Sequence, residues 1–355
     1  MDEKKIFLSS DIMTQSSPQM WEALKNADIS PSKDGKDKNI LKLQERICQL
    51  TGFERILLLP TCSAANLTAL MTYSKPGAQV IADSLTHFLW YEGNGVSAIA
   101  GLRTKLIDTE NGILTSEQVA AAADHSECLQ IPINVAVFLE NTHTIGGGCA
   151  YPIDLLSGIE KEAHKRNLFI HMDGARIFNA TVSKNVELSE ITKHVDSLSF
   201  NLNKIMGVPF GAILCGSQSF IESAAINAKI IGAHSMHKSG MLAAAALTQL
   251  SSDNYPLFLE NLKKTHLRTR QFAQMLNEIP YISVPMDKVE SNLFFMDIKN
   301  TNINAKTFLN YMEQNGVLAS YRSEEKIRFV VSVDRTASEL EEAAERIHKI
   351  VKNHV

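Results

Sequence analysis

The chain has 355 residues, 45% of them hydrophobic and 21% charged, which excludes a disordered or fibrous protein and allows two packed units on one chain. Thirty-five Lys and Arg against 39 Asp and Glu give a formal charge of −4, so there is no strong positive field for nucleic acid or an anionic membrane. Five cysteines, Cys48, Cys62, Cys128, Cys149 and Cys215, are scattered without C-x-x-C spacing, which points to a reducing, cytoplasmic setting and to neither a disulfide framework nor a zinc knuckle.

No run approaches the roughly 20 apolar residues of a membrane span. From about residue 37 to residue 250, short apolar runs alternate with longer helical patterns, the signature of an α/β fold with a mainly parallel sheet. Asn39 to Leu50 carries apolar residues at helical spacing and stops at Gly52. Arg55 to Leu59 reads as a strand entering a turn at Pro60, and Ala64 to Tyr73 as the helix behind it. Further strands are expected at Gln79–Ala82, Val135–Leu139, Leu168–Met172, Ser197–Phe200 and Gly211–Cys215, giving a sheet of about seven strands. An alanine-rich segment from Gly240 leads into a polar helical stretch ending near Ile279. Beyond Pro280, strands at Ser291–Ile298 and Ile327–Val333 alternate with helices at Ala305–Asn315 and Ala337–His354, a small α+β unit. The expected division is an N-terminal segment (1–15), a large α/β domain (16–255) and a small C-terminal α+β domain (256–355), without a flexible linker.

The most informative stretch is His171-Met172-Asp173-Gly174-Ala175-Arg176, an acid and an arginine at the end of an apolar run, where open α/β sheets place their ligands. Some thirty residues later, Asp196 to Lys204 reads as a strand followed by a lysine in a polar turn. Such a lysine is most often a solvated surface charge. Together with Asp173 it matches what pyridoxal phosphate requires, a lysine for its Schiff base and a carboxylate to keep its ring nitrogen protonated. Thr61-Cys62-Ser63 lies between a strand and a helix, where free N–H groups and the positive dipole end suit a phosphate; Ser63 as a simple helix cap is the competing reading. His87 follows the next strand, where an imidazole can lie over a planar ring. Glu140-Asn141-Thr142-His143 and Gly146-Gly147-Gly148 follow another strand at the same sheet edge.

In order and spacing these pieces resemble the low-specificity L-threonine aldolases of the β-eliminating lyase group, fold-type I pyridoxal phosphate enzymes. The resemblance runs from Leu8-Ser9-Ser10-Asp11 to the last helix and includes Ser239-Gly240, Asn292-Leu293-Phe294 and Arg328-Phe329-Val330 with Asp334. It implies a large domain with a mainly parallel seven-stranded sheet, a small C-terminal domain, and cleavage of L-threonine or L-allo-threonine to glycine and an aldehyde. By the same resemblance Lys204, His87 and Asp173 are catalytic. Thr61, Cys62, Ser63, Arg176, His237 and Lys238 join them around the cofactor, and Ser10, Arg176 and Arg328 grip the substrate carboxylate. Partners are then a small amino acid and further copies of the chain, in a homodimer or homotetramer with shared sites; no metal is implied.

Departures from the family pattern lie mainly on the substrate side. Asp34 replaces a tyrosine, Cys62 a glycine of the phosphate turn, Ile205 a glycine after the lysine, and His237 an arginine, with Lys238 beside it as a point charge and not a planar fork. Val331-Ser332 stands for Thr-His, and Gln130 aligns near a second active-site histidine of some members. They keep open a β-eliminating or racemising enzyme with the same cofactor, or a cofactor-binding protein with little turnover.

Overall fold

The computed structural model describes residues 5–29, 37–124 and 133–355, so Asp34 and Gln130 lie outside the described residues. Twelve described strands form three sheets: β1 (Ile6–Phe7), β2 (Arg55–Leu59), β3 (Gln79–Asp83), β4 (Arg103–Ile107), β5 (Asn134–Glu140), β6 (Phe169–Asp173), β7 (Ser197–Asn201), β8 (Ala212–Gly216), β9 (Leu293–Asp297), β10 (Val317–Leu318), β11 (Ser320–Ser323) and β12 (Lys326–Val330). The central sheet has the order β2-β8-β7-β6-β5-β3-β4. Within it β8 runs antiparallel to both β2 and β7, and the remaining pairs are parallel. Strands β3, β7 and β8 are buried along their whole length, as expected of a sheet covered by helices on both faces.

One apolar layer joins Leu43 and Ile47 to Ile81, Val137, Ile170, Met172, Phe178 and Phe200. The other joins Leu70, Val80, Phe88, Phe138 and Leu214. The helix Cys62–Tyr73 lies in that second layer. It is built from strong helix formers (Ala64, Ala65, Leu67, Ala69, Leu70, Met71) and is packed between the sheet and the helix Gln218–Ile230. Strand β4 was not expected. Its Arg103-Thr104-Lys105 start is polar and gives no apolar run, and the strand forms the sheet's edge, half-exposed and paired only with β3.

The small domain is the three-stranded antiparallel sheet β11-β12-β9 with the helices Ala305–Gln314 and Ala337–His354. Phe272, Phe294, Phe308 and Phe329 centre its separate core. Two elements stitch it to the rest. The helix Tyr255–Asn277 gives Tyr255, Phe258 and Leu262 to the large core and Phe272 and Leu276 to the small one. Strand β1 pairs parallel with β10, so the N-terminal segment belongs by packing to the small domain, where Ile6 and Leu8 are buried. No described helix is long and apolar enough to cross a membrane.

Candidate active site

Five loops leave the same edge of the central sheet, at the C-terminal ends of its parallel strands, and each carries a residue of interest. They are Thr61 after β2, His87 after β3, Glu140 to Thr144 at and after β5, Asp173 at the end of β6 and Lys204 after β7. Strand register places Glu140 opposite Asp173, and Asp173 opposite Ser199, so the acids cannot avoid one another.

Asp173 is buried, and each of its oxygens is held. Oδ2 accepts from Asn66 Nδ2 at 2.8 Å, and Oδ1 accepts from the Ala175 N–H at 2.8 Å with the Cys62 thiol 3.7 Å away. Gly174 permits this turn, because a Cβ there would lie 2.6 Å from Leu198 Cδ1 and 3.0 Å from the Ser199 carbonyl oxygen. Burial first, and then the nearby Glu140 and Glu92, push the Asp173 carboxyl above the usual carboxylate range, against the pull of His87 and Lys204.

His87 begins the short helix His87–Tyr91, its backbone N–H held by Glu140 Oε2 at 2.9 Å. Its Nδ1 lies 2.9 Å from Glu92 Oε1. Burial would lower the imidazole's affinity for a proton, but Glu92, Glu140 and Asp173 outweigh it and raise His87 above its ordinary value. Behind it lies a second imidazole, His143. It accepts from the Gly146 N–H at Nδ1 and lies between the acids with Nε2 3.4 Å from Asp83 and 3.6 Å from Glu140.

Lys204 is not a surface charge. It is half-buried beside Arg176, Asp11, Cys62 and Asp173; desolvation and then Arg176 hold its amine below the ordinary lysine value. Arg176 in turn forms a two-pronged buried ion pair with Asp11, Nε to Oδ2 at 2.7 Å and Nη2 to Oδ1 at 2.8 Å, and donates from Nη1 to Thr144. Asn292, from the residues entering β9, also reaches Asp11 at 3.3 Å, which brings the small domain into the site.

Arg328, in the middle strand β12, donates from Nη2 to the Ser9 carbonyl oxygen at 3.4 Å and leaves its buried Nε without a partner. Ser10 is the cap of the short turn Asp11–Met13, accepting from the Ile12 N–H at 3.3 Å. At the other end of the site Thr61, and not Ser63, caps the helix Cys62–Tyr73, by accepting from the Ala64 N–H at 3.1 Å. Cys62, the first helical residue, turns inward onto Asp173 and Ser199. His237 and Lys238 are exposed in the turn before the helix Gly240–Leu250. A separate cleft of about 720 Å³ opens between the domains, lined by Leu85, Gly146, Lys288, Phe295 and Arg322 among others. None of Lys204, Asp173, His87, Arg176 and Arg328 faces it.

Sequence reasoning assigned no role to Asp11, Asn66, Glu92 or Thr144. Asn66 had a usable signal, since it stands one helical turn after Cys62 and so shares its inward face. His87, Glu92 and Asp173 also bring ligand atoms within 4.8 Å of one another, a spacing compatible with a metal, although no metal was expected.

A family model described as beta-eliminating lyase matches residues 8–299. The chain belongs to this family. Among curated relatives, low-specificity L-threonine aldolase 1 of Arabidopsis thaliana is 31% identical over 95% of this chain and 94% of its own. The low specificity L-threonine aldolase of Escherichia coli K12 is 30% identical over 96% of this chain and 97% of its own. Among solved structures, the threonine aldolase of Leishmania major superposes with a TM-score of 0.83 at 19% identity, covering 97% of this chain and 99% of that one. The architecture is that of fold-type I pyridoxal phosphate enzymes, as the ordered motifs implied.

Proposed function

We propose that the chain is a pyridoxal phosphate-dependent carbon–carbon lyase of the threonine aldolase type, cleaving β-hydroxy-α-amino acids to glycine and an aldehyde. The observation that carries this reading is the convergence of the half-buried Lys204 amine and the buried Asp173 carboxylate on one sheet edge. The donor set fits the cofactor. Asp173, Glu140 and Glu92 crowd negative charge at a place where a protonated ring nitrogen relieves it, while a lowered lysine pKa favours the neutral amine that takes up an aldehyde carbon. The N–H groups at Cys62 and Ser63, at the start of a twelve-residue helix capped by Thr61, suit the phosphate.

Pyridoxal phosphate, when bound there, supplies the sink for the electron pair released at the substrate α-carbon. The chain's own residues do the rest. Arg328, with its unpartnered Nε, binds the substrate carboxylate together with the Ser10 hydroxyl. Arg176 presents the N–H groups that Asp11 and Thr144 leave unused to the cofactor or the same carboxylate. Gripping the carboxylate fixes which bond at the α-carbon is broken. His87 uses Nε2 to take the proton of the β-hydroxyl, since Nδ1 is occupied by Glu92. With that proton gone the Cα–Cβ bond breaks and the aldehyde leaves; the α-carbon takes up a proton, and glycine is released.

The site is proposed to form between residues 16–255 and 256–355 and to be completed in a cytoplasmic homodimer or homotetramer. His237 and Lys238 would then serve a neighbour's phosphate. Exposed Ile12, Trp90, Tyr91 and Phe210 support a second copy as cover. Incubating the cofactor-loaded protein with L-threonine, L-allo-threonine, L-serine and L-tryptophan separates the possibilities by product. Glycine with acetaldehyde from the first two supports aldol cleavage. Pyruvate with ammonia from L-serine or L-tryptophan, or only an inverted amino acid, identifies elimination or racemisation, and cofactor binding without turnover of any of the four supports a binding protein with little turnover.

A further inference from the structure

Asn66 is the hub of a buried polar network whose direction is fixed by its partners. On one side its Oδ1 accepts from the Ser199 hydroxyl at 2.5 Å and faces His171 Nε2 at 3.2 Å. On the other its Nδ2 donates to Asp173 Oδ2 at 2.8 Å and to Glu92 Oε1 at 3.1 Å. The amide cannot be turned over, because its oxygen would then meet two carboxylates. The chain continues behind it. His171 Nδ1 lies 2.8 Å from Ser197 Oγ, which accepts from the Tyr73 hydroxyl at 2.9 Å. With Ser197 supplying its proton to His171 Nδ1 and His171 Nε2–H directed at Asn66, the donors run one way from Tyr73 to the two acids.

Glu92 receives the far end of this chain. Its side chain is 6% exposed, and the same Oε1 that accepts from Asn66 lies 2.9 Å from His87 Nδ1. A carboxylate there accepts only, so a neutral His87 carries its proton on Nδ1 and leaves the Nε2 lone pair free. We propose that Glu92, anchored by Asn66, is the positioning residue of His87, fixing its tautomer and its proton affinity, and that Asn66 couples this dyad to Asp173. The inference rests on the reading of His87 as the base in aldol cleavage. It adds that the acid serving the base and the acid serving the cofactor ring share one amide, so that neither moves independently.

The charged and titratable groups facing His87 are Glu92 on its own segment, Glu140 from β5 and Asp173 from β6, with the Tyr91 ring 5.1 Å away. Glu92→Gln removes one charge and leaves the other two, so the imidazole keeps part of its elevation. The test is a 15N titration of histidine-labelled, cofactor-loaded protein, with the His87 signal assigned by its loss in His87→Gln. The wild type is expected to show neutral His87 with the proton on Nδ1. In Glu92→Gln the midpoint is expected to fall by roughly one pH unit and the Nε2–H form to appear. The acid limb of kcat/KM for glycine formation moves down in pH by the same amount, and Glu92→Asp restores part of the wild-type position. In Asn66→Ala, checked for folding by circular dichroism, the His87 midpoint and the visible band of the bound cofactor both move. An unchanged His87 midpoint and tautomer in Glu92→Gln overturns the inference, even if the enzyme makes glycine. Wild-type protein that makes no glycine overturns the aldolase reading instead, and the titration still decides whether Glu92 controls His87.

Discussion

The Asp11–Arg176 pair offers a direct test of how the site is held together. Both side chains are buried, at 0% and 4% exposure, and are joined by two hydrogen bonds of 2.7 and 2.8 Å. Asn292 and Thr144 add single contacts. Removing one member of such a pair strands a charge that water cannot reach, at a cost of about 3–5 kcal/mol. Asp11→Asn should therefore lose that much in urea unfolding, read by far- and near-UV circular dichroism together so that a partial transition is seen as one. The double variant Asp11→Leu with Arg176→Met replaces the pair by apolar groups and should be more stable than Asp11→Asn; set against the single variants Asp11→Leu and Arg176→Met, it should show a coupling of at least ~2 kcal/mol. The pH dependence has a definite sign. Burial alone would raise the Asp11 carboxyl, but Arg176, with help from Lys204 and Asn292, outweighs burial and lowers it. Its stabilisation is then complete above the unfolded carboxylate value near 4 and is lost as pH falls through the lower folded value. A loss below about 1 kcal/mol in Asp11→Asn, or additive effects in the double variant, would show that the pair does not hold the site together.

Two further predictions use buried groups of other kinds. Burial pushes His171 down to about 3, so below its unfolded value near 6.5 the unfolded chain takes a proton that the folded chain refuses. Between pH 6.5 and 5 this should remove about 2 kcal/mol of stability, and His171→Asn should flatten the wild-type fall of the urea midpoint over that window; an equal slope in the variant contradicts the assignment. Burial also pushes the thiols of Cys62 and Cys215 well up and that of Cys149 up to about 11. Iodoacetamide at pH 8, followed by peptide mapping, should leave all three unlabelled in the folded protein and label them in urea. Labelling of folded Cys62 at the urea rate contradicts its placement against Asp173.

Much of the frame was legible because buried parallel strands announce themselves as apolar runs. The segments at Arg55, Gln79, Val135, Leu168, Ser197 and Gly211 match β2, β3, β5, β6, β7 and β8 to within one residue at each end. Strand β4 was not legible, since an edge strand needs only one partner and can carry Arg103 and Lys105. Strands β1 and β10, two residues each, are too short to show any period and exist through their mutual pairing. At the site, Lys204, Asp173 and His87 stood out because each follows a strand. Glu92 and Asn66 did not, because their importance lies in contacts across the sheet edge with Asp173, from residues far away in the chain. Asp11 closes the Leu8-Ser9-Ser10-Asp11 segment, but the 165 residues separating it from Arg176 leave no local pattern.

The proposed role of Lys204 and Asp173 is to make this sheet edge a cofactor site for cleavage between the α- and β-carbons. It is tested most directly by glycine release from L-allo-threonine and L-threonine, with pyridoxal phosphate present, in wild type and Lys204→Ala compared side by side. Steady glycine formation by the wild type and its loss by several orders of magnitude in Lys204→Ala, with folding intact, is the predicted result. Glycine formation at comparable rates in both proteins, or in neither, contradicts that role.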